Sequence, residues 1–331
     1  MDPATMLTLV AREATRNRTA IMQRPPPCTV DTCDLGKGII RYRPTVAGNS
    51  IYGACFIVLL FIQLYFGIRK KTWTYMTAVC LGILGEIVGY GGRLMLYNNP
   101  FNMNNFLVYL VPLTIAPALL TGGIYVCLSR VVVVVGADYS RIKPKMYTYI
   151  FVGCDLLSLI LQSIGGAIAS ISHKQKTTDL GVHIMIAGLI SQIASMLIFF
   201  GLWGDFAIRV RKAKRSGHLN AQAPLYDNLR AARMFHWFQW SLFIATALIF
   251  VRSVYRVAEL WEGFSSHLAN DEVTFMIFEG PLIITAVVLM TVYHPGRVFD
   301  DLWIAAGKGF RFMRHGDSGS TDKIELVERD H

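Results

Sequence analysis

Seven long apolar stretches, separated by short polar segments, limit the folds that this chain can adopt. Each stretch has about the 20 residues that an α-helix needs to cross the hydrocarbon core of a bilayer. Backbone N–H and C=O groups cannot stay unpaired in hydrocarbon, so each stretch is predicted to be a transmembrane helix. The predicted spans are Ala47–Ile68, Tyr75–Tyr97, Phe106–Ser129, Tyr147–Ile171, Leu180–Gly204, His236–Leu260 and Glu272–Tyr293. The predicted fold class is an all-α, polytopic bundle of seven transmembrane helices.

The composition supports a membrane location. Of the 331 residues, 53% are hydrophobic and 16% are charged, whereas soluble domains carry about 25% charged residues. The formal net charge of +10 could indicate a nucleic-acid partner. The Lys and Arg residues, however, form short runs between the apolar stretches, which is typical of the cytosolic face of a membrane protein. We therefore expect membrane lipids, and not nucleic acid, as the surroundings of this chain.

The distribution of positive charge between the loops predicts the orientation. Basic runs follow the first, third and fifth spans, at Arg69–Lys71, Arg141–Lys145 and Arg209–Arg215. The loop of residues 98–105 has no charge, and residues 262–271 contain no Lys or Arg. Positively charged loops remain in the cytosol. The N-terminus is therefore predicted to lie outside and the C-terminus in the cytosol.

The residues outside the spans predict no second folded domain. Residues 1–46 are predicted to be an extracellular polar tail, residues 47–296 the transmembrane domain and residues 297–331 a cytosolic tail. The cytosolic tail begins with aromatic and basic residues, which fit either an amphipathic helix on the inner leaflet or a disordered segment. Arg130, near the end of the third span, is expected to extend its side chain to the membrane interface.

Two features of the N-terminal tail are typical of extracellular segments. Asn17 begins the glycosylation sequon Asn-Arg-Thr. Cys28 and Cys33 either form one short disulfide or remain two free thiols, depending on the compartment.

Ionisable and polar side chains recur along one helical face in four of the predicted spans. A charge placed in hydrocarbon costs about 2.5–3.5 kcal/mol on insertion scales. Charged residues inside a span are therefore candidates for a functional role. The candidate binding residues are Glu86, Tyr90 and Arg93 in the second span, Asp155, Ser158 and Gln162 in the fourth, Arg252, Arg256 and Glu259 in the sixth, and Glu279, seven residues after Glu272, in the seventh. Their spacings of three, four and seven residues place each set on one face. We expect them to face a shared polar interior, with ion pairs that merely hold the helices in register as the alternative.

Several function classes lack their sequence signatures. None of the eight histidines lies in the middle of a span or forms an HxxxH pair, so we expect no catalytic residues and no metal site. The chain contains no Walker A sequence, so we expect no ATP site, and we expect no cofactor. A seven-helix lipid-sensing receptor without transport remains the alternative function, although the chain lacks an Asp-Arg-Tyr triplet after the third span.

Motifs in five of the spans resemble those of the fungal lipid-translocating exporter family, which includes 7-aminocholesterol-resistance and sphingoid long-chain base efflux proteins. The segments that carry the resemblance are Glu86–Arg93, Ala118–Tyr125 leading to Ser129-Arg130, Asp155–Ser158 with Gln162, Phe250–Glu259 followed by Gly263 and Glu272, and His294-Pro295-Gly296. The seventh span departs from the family pattern, which tends to be Tyr-Val-Phe-Asp where this chain has Met276-Ile277-Phe278-Glu279. The acid is kept as Glu279, but the tyrosine is not.

The resemblance implies a plasma-membrane protein that moves or exports amphipathic lipids, such as sphingoid bases or sterol analogues. A sphingoid base carries a cationic amine, which the intramembrane acids could bind strongly in a low dielectric.

Overall fold

The computed structural model describes residues 33–34, 40, 42–171, 175–216, 224–261 and 268–312. Seven helical segments in these residues are long and apolar enough to cross a membrane. The first six are α1 (Val46–Arg69), α2 (Trp73–Asn98), α3 (Met103–Val135), α4 (Pro144–Ile171), α5 (Gln175–Arg215) and α6 (Arg233–Leu260). The seventh span consists of α7 (Glu272–Phe278) and α8 (Gly280–Val292), and α9 (Pro295–Val298) and α10 (Leu302–Phe312) follow. The prediction of an all-helical chain with seven spans is confirmed over the described residues, none of which lies in a β-strand.

The helix α5 is much longer than the predicted span Leu180–Gly204, because the basic segment that follows the apolar stretch continues the same helix to Arg215. This segment is rich in Arg, Lys and Ala, which are strong helix formers. Asp205 and Arg209, one turn apart, form an ion pair with 2.8 Å between Oδ2 and Nε.

The helix α3 lies at the centre of the bundle and α1 lies at its edge. In the apolar window of α3, 83% of residues are buried inside the protein, compared with 17% for α1. Consecutive spans pack against each other, α8 closes the bundle by packing on α1 and α6, and α3 also contacts α6 and α10. The exposed side chains of α1, such as Ile57, Val58 and Phe61, are apolar and suit contact with lipid.

Glycines allow α2 and α3 to approach closely. A Cβ atom placed on Gly92 would lie 2.5 Å from the backbone nitrogen of Tyr109 and 2.7 Å from its Cα. Such contact involves backbone atoms that cannot move independently of α3. Small residues at such positions let transmembrane helices pack backbone to backbone.

The segment after the seventh span contains the helix α10 and packs against α3, and its location on the inner leaflet stays a prediction. Phe299 and Trp303 are buried, and the guanidinium carbon of Arg130 lies 3.3 Å from the centroid of the Trp303 ring. Arg130 also donates a hydrogen bond of 2.9 Å from Nη1 to the carbonyl oxygen of Trp303. Trp303 thus provides both a π-face and an acceptor for Arg130, and the position of this side chain at the membrane interface stays a prediction. Residues 313–331 of the predicted cytosolic tail lie outside the described part of the chain.

A pair of matched substitutions tests the close packing of α2 against α3. Gly92→Ala should destabilise the protein by about 1–3 kcal/mol, the usual cost of overpacking, and lower the midpoint of thermal unfolding in detergent. Gly91→Ala adds the same methyl group where no atom lies within 4 Å, so its midpoint should stay at or above that of the wild type. Equal midpoints for the two variants would contradict the packing described here.

Candidate functional site

The polar face of α6 points into the bundle. Arg252, Arg256 and Glu259 are each at most 5% exposed, and α6 packs against α8, α7 and α3. Guanidinium and carboxylate groups at this depth need neutralising partners, because an unpaired charge in hydrocarbon is strongly disfavoured. The seventh span supplies the partner of Arg252, while Arg256 and Glu259 neutralise each other within α6.

Arg252 is held by one backbone and one side-chain acceptor. Its Nη2 atom donates a hydrogen bond of 2.6 Å to the carbonyl oxygen of Leu113 in α3, and it forms an ion pair with Glu279. The Leu113 carbonyl is free to accept because the residue four positions later is Pro117, which has no N–H for the helical hydrogen bond. A proline in α3 thus creates the acceptor that orients the arginine of α6.

Glu279 lies at a one-residue interruption of the seventh span, where the backbone keeps right-handed helical angles and the Glu279 N–H still donates to the Phe275 carbonyl oxygen at 2.9 Å. The helix ends at Phe278 and restarts at Gly280, with Glu279 between the two parts. Pro281 lacks the N–H that would continue the helical hydrogen bonds, which explains the interruption. Glu279 is completely buried, and its side chain makes no hydrogen bond that caps α8.

The second pair of this region is formed within α6 itself. Arg256 donates a hydrogen bond of 2.5 Å from Nη1 to Oε2 of Glu259, one turn further along the helix. The side chains of Tyr109 and Tyr255 lie close enough to this pair to interact with it electrostatically.

Glu86, in α2, is the third acid of the region and differs from the other two. It is completely buried and lies close enough to Arg252, Arg256 and Glu279 to interact with them electrostatically. Among the described residues, neither of its carboxylate oxygens has a hydrogen-bond partner, and the same holds for the hydroxyl of Tyr90 one turn later. We call the set formed by these five charged residues, Glu86, Arg252, Arg256, Glu259 and Glu279, the central charge cluster.

Arg93 lies outside the central charge cluster, near the end of α2. Its Nε atom donates to Oδ1 of Asn49 in α1 at 2.8 Å, and its guanidinium carbon lies 3.8 Å from the centroid of the Phe275 ring in α7. Its Nη2 atom donates to the hydroxyl of Tyr42 at 3.0 Å and lies 3.8 Å from Oε1 of Glu272. Burial raises the pKa of the Tyr42 hydroxyl, so this phenol is neutral when it accepts from Arg93.

The segment before α1 is fixed over this end of the bundle. Arg43 donates a hydrogen bond of 3.0 Å to the carbonyl oxygen of Tyr97 and stacks on the ring of the same residue at 3.7 Å. The backbone N–H of Thr45 donates to Oε1 of Glu272 at 2.5 Å. The last residues of the predicted tail therefore connect the ends of α1, α2 and α7.

The structure does not bring the polar face of α4 to the central charge cluster. Oδ2 of Asp155 accepts hydrogen bonds of 3.0 Å from both Thr121 and Tyr125 of α3. Gln162 donates to Gln192 of α5 at 3.2 Å, and Ser158 donates to the carbonyl oxygen of Cys154 in its own helix at 3.0 Å. The spacing of these residues fixes their common face, but α4 packs between α3 and α5. The shared interior expected from the four spans is therefore divided, and a role of the α4 residues in ligand binding stays a prediction.

Sequence reasoning missed several partners of the charged residues. The Leu113 carbonyl, Tyr42, Asn49, Tyr109 and Phe275 were not among the predicted site residues. Pro117 was the signal for the first of these, since a proline inside an apolar helix frees a carbonyl four residues earlier. The aromatic and amide partners of Arg93 left no comparable signal, because Tyr, Asn and Phe are ordinary residues near the ends of spans.

The other predicted modifications fall mainly outside the described residues. Asn17 and Cys28 are not in the described part of the chain. Cys33 is disulfide-bonded, while the identity of its partner remains a prediction. In the described residues, no group of three or more His, Cys, Asp or Glu side chains could hold a metal ion.

Comparison with known proteins identifies the family. A family model described as "RTA1 like protein" matches residues 79–301. The chain belongs to this family. The matched region contains all five residues of the central charge cluster.

Named relatives of this RTA1-like protein come from Saccharomyces cerevisiae. The sphingoid long-chain base transporter RSB1 of strain Lalvin EC1118 is 32% identical, over 80% of this chain and 78% of the relative. Protein RTA1 is 26% identical over 78% of this chain and 86% of its own length. Protoporphyrin uptake protein 1 is 27% identical over 66% of this chain and 68% of its own length. No solved structure matches the chain significantly.

The ion pair between Arg252 and Glu279 should contribute strongly to stability. Glu279→Gln leaves the guanidinium buried without its counter-charge and should destabilise the protein by about 3–5 kcal/mol. Adding Arg252→Met should recover much of that loss, because the unpaired charge is then removed. The midpoint of thermal unfolding in detergent measures both effects.

Asp300→Asn provides the matched control for this comparison. Asp300 forms an ion pair with Lys70 in which the side chains are 63% and 34% exposed, so its loss should cost less than about 1 kcal/mol. Asn also tolerates the positive φ of 47° at this position. A Glu279→Gln variant as stable as Asp300→Asn would contradict a structural role for the buried pair.

Proposed function

We propose that this RTA1-like protein transports amphipathic lipids with a cationic amine, of which sphingoid long-chain bases are the best candidates, across the membrane. The single observation that carries the proposal is the central charge cluster, which contains three carboxylates and two guanidiniums, all buried at or below 5% exposure. Such a cluster has one carboxyl group more than its two guanidiniums can pair. A cationic head group supplies the missing positive charge.

The extra carboxyl group of the cluster distinguishes between the cargoes named for the relatives. A sphingoid base carries an ammonium group, whereas a porphyrin carries propionate groups. An ammonium group beside a carboxylate in a low dielectric is strongly attracted, and a carboxylate there is repelled. The charge balance of the cluster therefore favours the cargo named for RSB1 over the cargo named for the protoporphyrin uptake protein.

The interruption of the seventh span supports movement through the bundle. Discontinuous helices with their ends at a polar site near the middle of the membrane recur in transporters. Here α7 and α8 meet at Glu279, in the central charge cluster, and Arg93 lies between this cluster and the end of the bundle where Tyr42 is bound. In the proposed pathway, Tyr90 and Arg93 line the access from that end.

The distribution of basic residues supports an N-terminus outside and a C-terminus in the cytosol. In this orientation, the end of the bundle with Arg93 faces outward and the docked Trp303 faces the cytosol. The plasma membrane is the location that fits the export of a lipid.

Reconstitution of the purified protein into liposomes tests the proposal. Labelled phytosphingosine should move between the leaflets of these liposomes faster than in protein-free liposomes. Its N-acylated derivative, which has no cationic amine, should move no faster than in protein-free liposomes. Glu259→Gln should lower the protein-dependent rate by about tenfold or more, which corresponds to the loss of about 1.4 kcal/mol of interaction.

Asp205→Asn is the control for the change of a carboxylate to an amide. Asp205 forms an ion pair with Arg141 at 2.9 Å, and their side chains are 31% and 60% exposed, so its rate should equal that of the wild type. Saturable binding of phytosphingosine without any accelerated movement would overturn the transport proposal and favour the lipid-sensing receptor.

A further inference from the structure

The acids of the central charge cluster are not equivalent. Glu279 is paired with Arg252, and Glu259 is paired with Arg256. Each guanidinium thereby has one acidic partner, although the Nε atoms of both arginines have no hydrogen-bond partner among the described residues. Glu86 is the acid of the cluster that has no ion pair in the described part of the chain. Among the described residues, neither oxygen of Glu86 accepts or donates a hydrogen bond, although the side chain is 0% exposed.

The polar and charged groups around Glu86 come from several neighbouring helices. The sixth span contributes Arg252 and Arg256, and the seventh contributes Glu279. Tyr90, on the same face of α2, is 1% exposed, and its hydroxyl also has no hydrogen-bond partner in the described part of the chain. Near Tyr90, α1 contributes the ring of Tyr52.

The remaining neighbours bring no compensating charge. The helix α1 has no acidic or basic residue before Arg69, and α3 has none before Arg130. Tyr109 of α3 is oriented toward Arg93, Arg256 and Glu259 instead. No further cation on these two helices is therefore available to neutralise Glu86.

A carboxylate in this position must be neutralised by something that is exchanged. Burying an ionised carboxylate without a partner is so unfavourable that the group binds a proton or a cation instead. The fixed residues cannot supply that cation, since both arginines already have acidic partners. A proton or a cation that can leave the protein must therefore neutralise Glu86.

On the basis of the proposed function, we infer that Glu86 is a proton–amine exchange site. In the empty protein Glu86 carries a proton, and binding of the cargo ammonium group replaces it. The carboxylic acid and the ammonium ion become a carboxylate–ammonium ion pair, and one proton is released to water. The total charge is +1 before and after the step, and the site itself is neutral in both states.

Two consequences follow for transport. Each amine that moves in one direction is accompanied by one proton in the other direction, so a pH gradient drives the movement. Because the site has no net charge whether empty or loaded, the membrane potential has little effect on the rate. A cluster that merely held the helices together would show neither property.

The experiment measures uptake of labelled phytosphingosine by liposomes that contain the full-length protein, with protein-free liposomes as background. An acidic lumen should raise the ratio of lumenal to external phytosphingosine that protein-dependent uptake finally reaches by about tenfold per unit of pH difference, as one exchanged proton requires. Nigericin, which collapses the gradient, should abolish this accumulation. A potential imposed with potassium and valinomycin should leave the rate unchanged.

The variant Glu86→Gln should lose the response to the pH gradient, because an amide neither releases a proton nor pairs with an ammonium group. The fold should tolerate this change, since Glu86 makes no hydrogen bond with the described residues, and an unchanged unfolding midpoint checks this. Glu86→Asp should keep the response, because it retains the carboxyl group.

The outcomes separate this inference from the proposed function. If the wild type moves phytosphingosine no faster than protein-free liposomes, the transport proposal fails. If the wild type transports, but reaches a ratio of lumenal to external phytosphingosine that is independent of the pH gradient, or if Glu86→Gln retains the response, the exchange site is overturned while transport stands.

Discussion

Charge neutralisation inside an apolar bundle is the constraint on which the rest of this structure depends. Arg252 illustrates it most clearly, because its guanidinium reaches both Glu279 and the Leu113 carbonyl oxygen. In a low dielectric, such contacts are strong when complete and costly when incomplete. The third, sixth and seventh spans are therefore fixed relative to each other by one side chain.

Prolines determine where the polar groups meet. Pro117 frees the carbonyl that Arg252 uses, and Pro281 interrupts the seventh span so that Glu279 lies between two helices. The two arginine–carboxylate pairs form a fixed frame, and Glu86 is the group within that frame that has no fixed partner. This division between a rigid frame and one acid without a partner among the described residues fits the proposed carrier, since binding must be reversible without disrupting the helix packing.

The sequence was sufficient to predict the helices, because the length and hydropathy of each span depend on local composition. It was also sufficient to choose the residues of the central charge cluster, because acids and arginines in hydrocarbon are rare. It could not show that Asp155 binds Thr121 and Tyr125, since helical periodicity identifies a face but not the helix opposite it. The docking of Trp303 onto Arg130 was missed for the same reason, because both residues have ordinary interfacial roles when each is considered alone.

Infrared difference spectroscopy of the purified protein tests the central claim most directly, because it reports whether a buried carboxyl group carries a proton. The wild type should show the band of a protonated carboxylic acid that is absent from Glu86→Gln. Saturation with phytosphingosine should remove this band and produce carboxylate bands in its place. A wild-type spectrum that lacks the Glu86 band, or a band that phytosphingosine leaves unchanged, would contradict the account.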